Sequence, residues 1–489
     1  MTSTQEDQTI KPARSFFGHP WGLANLAGVE MWERFSFYGM QGLLAFYIYY
    51  SVADGGLGWP KDAATSIVGA YGGLVYLSSV LGGWIADRVL GAERTLLSAA
   101  VIIMAGHLAL ALVPGGLGLA MGLVCVALGS GSLKTSTSTV LGDLYTQGDV
   151  KRDAAFSIYY MGVNLGAFIG PLLTSALWGW KGFHWGFGLA AIGMALGLIQ
   201  YLLMRKHTAT DAARRVPNPL NRRERVRWIC IVAAAIAIIA VAAVLGWLRP
   251  ETLSSVVVGL TLVAAVALFV VIGSSKRVDA DERSRVFAFI PLFIASAVFW
   301  TLFQQQFTVL AIYADERLDR NIFGFVVPPS IVTSINPVFI IIFAGVFAAM
   351  WTKLGTRQPS APVKFAIATC VMGLAFLTFI PFSGGANGSV PFLAIVLILF
   401  LFTIAELCIS PVGQSLATKL SPKAFHSQMV ALFFLSVALG SAAAGTLSSF
   451  YSPTNEVPYF LTIGVVSISV GVLLFIFKQP VLRLMRGVR

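Results

Sequence analysis

The sequence predicts an all-α integral membrane protein built as two six-helix bundles with two additional helices between them. Three observations lead there. Hydrophobic residues make up 57% of the 489 and charged residues only 11%, at a mean hydropathy of +0.79, far from soluble globular composition. Apolar stretches of about 20 residues or more, enough to cross roughly 30 Å of hydrocarbon as helices, recur fourteen times. The longest polar linker follows the sixth stretch, as expected of a connection between two six-helix halves.

In chain order, the first segment, centred near Met40, contains the run VEMWERFSFYG (29–39) with Glu30, Glu33 and Arg34. The second and third, near Tyr76 and Met104, are joined by GGWIADRVLGAERT (82–95), where small residues permit close packing and charges can bridge helix ends. The fourth, near Ser130, holds Lys134 in the hydroxyl-rich run SGSLKTSTST. The fifth and sixth, near Val163 and Ala191, complete a first bundle over 1–206.

A linker at about 207–226, with Pro217 and Pro219, leads to two segments near Ile238 and Ala264 that carry no charge. They read as lipid-facing additions within an intermediate unit, 207–283. The remaining six, near Phe299, Ile341, Met372, Ile404, Leu439 and Ile468, form the second bundle over 284–489. MWTKLGTR (350–357) faintly echoes the 82–95 loop at the matching turn. Pro291, Pro337 and Pro411 are expected to interrupt the ninth, tenth and twelfth segments and let them bend.

The net charge of +12 could suggest nucleic acid, but its placement decides otherwise. With both termini cytoplasmic, 27 of the 34 Lys and Arg fall in cytoplasmic turns and tails, five fall outside, and Arg34 and Lys134 lie within segments. The expected location is the inner (plasma) membrane, and RRVPNPLNRRERVR (214–227) reads as a topology signal. The first 20 residues are polar, without the pattern of a signal peptide. Cys125, Cys230, Cys370 and Cys408 lie in separate segments with no CxxC spacing, so they read as packing residues.

A charge at the bilayer centre costs at least about 2.5 kcal/mol, so it faces a polar cavity or a partner. Five meet that test: Glu30, Glu33, Arg34, Lys134 and Glu406. Glu30 and Arg34 are spaced i,i+4, as are Arg34 and Tyr38, so they form one stripe facing the interior. Lys134 is the expected partner of a carboxylate on that stripe. Three carboxylates against two cations leave one acid that should readily take a proton. His107 is expected to be structural and His184 solvent-facing, while Asp315 and Asp319, in YADERLDRN, are expected to cap or gate the end of the ninth segment.

These residues carry a family resemblance. The 82–95 loop resembles the signature of the major facilitator superfamily. The first-segment run resembles the E-x-x-E-R-F-x-Y-Y motif of its proton-dependent oligopeptide transporters, with Phe37 replacing the first tyrosine. FSIYYMGVNLG (156–166), FWTLFQQ (299–305), SINP (334–337) and AELCISPVG (405–413) continue it in order. The resemblance implies that Arg34 and Lys134 attract a substrate carboxylate and Glu406 pairs with its amino terminus, while Asn164 and Asn336 bind its backbone. It also implies that Tyr38, Tyr76 and Trp300 line the pocket. Gln304 stands where the family presents a glutamate, and Phe433 where a tryptophan is usual. Without an acid at 304, coupling falls to Glu30 and Glu33, with Arg34 and Lys134 as the switch.

The expected function is therefore proton-coupled import of di- and tripeptides by alternating access. No cofactor is expected besides protons as the coupling ion, nor any metal, nucleic acid or enzymatic activity, and the expected state is a monomer among membrane lipids. The alternatives are a same-fold importer of nitrate, an organic acid or a peptide-like compound, and a non-transporting receptor or enzyme. The last is disfavoured because no nucleophile-and-base pair or nucleotide loop stands out.

Overall fold

The computed structural model describes residues 16–145 and 151–488. The polar stretch before Phe16, with the signal-peptide reading made on it, lies outside the described residues. Fourteen long helices follow one another. They are α1 (Trp21–Tyr49), α2 (Lys61–Ile85), α3 (Ala92–Leu112), α4 (Gly115–Gly142), α5 (Lys151–Lys181), α6 (Phe183–Met204) and α7 (Arg222–Val244). Then come α8 (Leu253–Ser274), α9 (Ala280–Phe303), α10 (Ile335–Leu354), α11 (Ala361–Leu377), α12 (Phe392–Lys419), α13 (His426–Ser448) and α14 (Glu456–Ile476).

All fourteen expected segment centres fall inside these helices. Among the described residues, thirteen helices are long and apolar enough to cross a membrane. The fourteenth, α1, has the length, 29 residues, but carries the Glu30, Glu33, Arg34 cluster. Local sequence sets the helix starts. Asn221 and Asp279 each accept a hydrogen bond from the backbone N–H of a glutamate three residues on, whose carboxylate receives their own N–H, closing capping boxes at α7 and α9.

Glycines set the closest approaches. A Cβ at Gly166 or Gly170 of α5 would lie 2.1 or 2.3 Å from the α1 carbonyls of Met31 and Phe35, so α5 rests directly on the backbone of the charged helix. The two bundles meet mainly along α2 and α13, where a Cβ on Gly69 would lie 2.6 Å from the Cα of Gly445.

Two expectations need correction. The pair α7 and α8 is not uniformly lipid-facing: α8 buries Ser254, Val257, Thr261, Ala265 and Ile272 beside α2 and α13. Its Ser254 hydroxyl accepts from Ser66 and Thr446, a polar anchor that a charge-based reading overlooks. Pro337 does not interrupt a helix. It sits in the first turn of α10, after the 3-10 turn Pro329–Ser334, where no amide donor is needed. Pro291 and Pro411 are interior, and so is Pro171 of α5.

Candidate functional site: charges between the two bundles

The α1 stripe is buried, with Glu30, Glu33 and Arg34 at 2%, 0% and 6% exposure, so these charges must be answered by protein groups. Arg34 takes both carboxylates: its Nε lies 3.3 Å from Glu30 Oε1 and 2.6 Å from Glu33 Oε2. Both are charge contacts of Nε without hydrogen-bond alignment. Glu30 is also held from α4 and α5, since Thr137 Oγ1 donates to its Oε2 at 3.1 Å and lies 2.8 Å from the Tyr159 hydroxyl. The guanidinium sits over the rings of Phe37 and Tyr38, at 5.0 and 5.9 Å.

Lys134 does not pair with an α1 carboxylate, contrary to the sequence expectation. Arg34, on the same helix as both acids, occupies them, and Lys134 Nζ lies over the rings of Tyr76 on α2 and Phe434 on α13, at 4.9 and 5.4 Å. Among the described residues no carboxylate lies within ion-pair distance of it.

From the other bundle, Glu406 of α12 likewise has no cationic partner among the described residues. It accepts one hydrogen bond, from Asn336 Nδ2 at 3.3 Å, and that amide also donates to Thr403 Oγ1 at 3.0 Å. Tyr38 and Tyr76 lie within electrostatic reach of both Arg34 and Glu406, which places the lone acid and the α1 stripe around common ground. Asn164 is 8% exposed and donates to Tyr160 O. Trp300 is buried with its indole N–H unpartnered, packed on Phe299 and Phe303.

Two expected wall residues sit differently. Gln304 donates to Ser441 Oγ at 3.0 Å and lines a small cavity with Gln41, Gly69, Gly72 and Phe307. Phe433 packs on Gly413 inside the second bundle, and the ring facing Lys134 belongs to Phe434. One helix position rotates a side chain by about 100°, enough to exchange pocket for core.

At the face opposite the chain ends, Asp315 accepts hydrogen bonds from Tyr49 and Tyr50 of the first bundle, at 2.7 and 2.8 Å, and lies 3.6 Å from Arg320. Glu316 pairs with Lys61, and Ser330 donates to Ser175 at 2.6 Å. Deeper in, Tyr38 stacks on Phe307. Asp315 thus latches the bundles together at this face, while Asp319 accepts from Asn321 N in its own loop and, among the described residues, makes no bond to the first bundle. His184 is not solvent-facing: its Nδ1 meets Leu110 O at 2.9 Å and its ring packs on Tyr47. His107 is fully buried with both ring nitrogens unpartnered. The sequence reading missed Thr137, Tyr159, Tyr49 and Tyr50. The first two stood inside quoted runs, but hydroxyl-rich helices give no sign of which hydroxyl meets an acid.

The model of the POT family matches residues 93–466. The chain belongs to the POT family. An uncharacterized transporter of Bacillus subtilis is 41% identical, covering 100% of both chains. A di-/tripeptide transporter of Lactococcus lactis subsp. cremoris is 37% identical over 98% of this chain and 99% of its own. The crystal structure of a mutant POT peptide transporter in complex with alafosfalin, at 45% identity, superposes with a TM-score of 0.92, covering 99% of this chain and 100% of the other. This POT member is accordingly a multi-span membrane transporter and not an enzyme, with the two-bundle fold of the major facilitator superfamily.

Proposed function

We propose that the protein is a proton-coupled symporter that imports di- and tripeptides by alternating access. The observation that carries this reading is a pair of opposite charges contributed by opposite bundles, each left without an ionic partner: Lys134 on α4 and Glu406 on α12. A peptide zwitterion answers both, its carboxylate toward Lys134 and Arg34, its ammonium toward Glu406. Asn164, Asn336, Tyr38, Tyr76 and Trp300 then border the backbone and side chains, with Gln304 and Phe433 behind them. Names of similar proteins point the same way, as di-/tripeptide transporters.

In the proposed cycle a proton enters the Glu30/Glu33 pair, loosening its hold on Arg34, which then turns to the substrate carboxylate. Binding favours one state only through such differential contacts. The bundles, taken as 1–206 and 284–489 around the 207–283 unit, rock about the site as the Asp315 latch opens and closes. We further propose a plasma-membrane protein with both termini cytoplasmic, which the distribution of Lys and Arg supports, working as a monomer.

A second reading, import of another small solute, is favoured by Phe37, which lacks a phenol beside Arg34, and by Gln304, which lacks an acid behind the lining residues. Uptake into proteoliposomes under an imposed pH gradient, with dialanine, trialanine and nitrate, decides between them. The proposal expects gradient-stimulated uptake of both peptides. Nitrate uptake without peptide uptake would overturn the substrate, and gradient-insensitive peptide uptake would overturn the coupling.

A further inference from the structure

Helix α7 is unlike the other spans. None of its residues is buried, and only Glu224 and Ala242 are even partly covered. It touches the body at its basic end through two contacts one turn apart: Arg88 Nη2 to Glu224 at 3.0 Å, and the rings of Trp84 and Trp228 with centroids 4.6 Å apart. Above that pair the two surfaces part. Val80 and Leu81 lie on the Trp84 face of α2 and stay exposed; Ile231 and Val232 lie on the Trp228 face of α7 and are 42% and 53% exposed.

Apolar surface of both helices is therefore left uncovered above the tryptophan pair, at the level where such rings mark a membrane interface, and we read it as a slot between α2 and α7. Its mouth is cationic. Arg223 and Arg227, spaced i,i+4 beside the Glu224 and Trp228 face, are exposed and, among the described residues, in no ion pair; Glu224, the acid within the run 214–227, is held at 3.0 Å by Arg88.

We infer that this slot binds an anionic phospholipid, its acyl chains between α2 and α7 and its headgroup phosphate on Arg223 and Arg227. A slot between membrane helices is filled by acyl chains, and each basic side chain near the surface strengthens attraction to an anionic headgroup severalfold. The linker strand before α7 is fastened to the 82–95 loop, since Asn218 and Leu220 donate backbone hydrogen bonds to Asp87 O and Arg88 O, at 2.9 and 3.1 Å. The lipid would thus brace α7 against the end of α2.

Native mass spectrometry of the purified chain, titrated with phosphatidylglycerol or phosphatidylcholine of matched chains, tests this. The expected result is preferential retention of phosphatidylglycerol, weakened on the order of tenfold in Arg223→Gln/Arg227→Gln and unchanged in Lys478→Gln/Arg483→Gln, which removes equal charge elsewhere on the same face. Equal retention of the two lipids, or equal loss in both variants, would overturn the site. Displacement of the lipid by millimolar inorganic phosphate would reduce it to a free-anion site. In the unmodified protein, tryptophan quenching by brominated phosphatidylglycerol should exceed that by brominated phosphatidylcholine, and equal quenching would count against the inference without any variant.

Discussion

At the scale of single residues, the site is defined by which charges are satisfied. Arg34 is shared between Glu30 and Glu33, whereas among the described residues Lys134 lies over two rings and Glu406 accepts from one amide, neither with an ionic partner. Placing a charge in such a site without an ionic partner is costly, so a ligand that supplies one gains more than in water. Glu406→Gln should therefore lower dialanine affinity roughly tenfold or more, the size expected for a lost charge-assisted hydrogen bond. N-acetyl-dialanine should bind poorly to the native protein, and its disadvantage should shrink in the variant. Competition binding reads both, and an unchanged preference for the free amine in Glu406→Gln would remove that residue from substrate contact. The charged residues were legible in the sequence because hydrocarbon tolerates few of them. The pairing was not, since Arg34 competes with Lys134 for the same acids and only the packing of α1 on α4 and α5 decides the outcome.

At the scale of elements, two devices join the bundles. Along α2 and α13 the joint depends on glycine. Gly69→Val would drive side-chain atoms into the backbone at Gly445 and should cost about 1–3 kcal/mol, typical of overpacking, seen as a lower melting temperature in detergent. A neutral result would mean that these helices separate freely. At the face away from the chain ends, Tyr49, Tyr50 and Asp315 form a latch. Asp315→Asn weakens what the two phenols donate to. It should speed labelling of a Thr308→Cys reporter, which replaces a residue at 1% exposure, by impermeant maleimide from that side in a background without the four native cysteines. Unaltered labelling would assign closure to other contacts. The pattern of apolar stretches located the fourteen long helices, but the Asp315 latch could be read only as an end-of-helix acidic cluster, because the two tyrosines it holds lie more than 260 residues away. α8 likewise looked lipid-facing because its anchoring groups are serines and threonines, which hydropathy hardly registers.

At the scale of the whole molecule, the proposed cycle takes opposite charges from the two bundles, Lys134 and Glu406, and gives α1 the groups that exchange a proton for an ion pair. Gln304 hydrogen-bonds Ser441 and cannot carry a proton at working pH, so the proposed coupling rests on α1. The measurement that tests this most directly compares two assays on one variant, Glu33→Gln, in proteoliposomes. Accumulation driven by a pH gradient requires the proton step, whereas counterflow exchange of labelled against unlabelled dialanine requires only binding and rocking. The account predicts that Glu33→Gln abolishes gradient-driven accumulation and retains counterflow. Equal loss of both, or accumulation that persists, would contradict it.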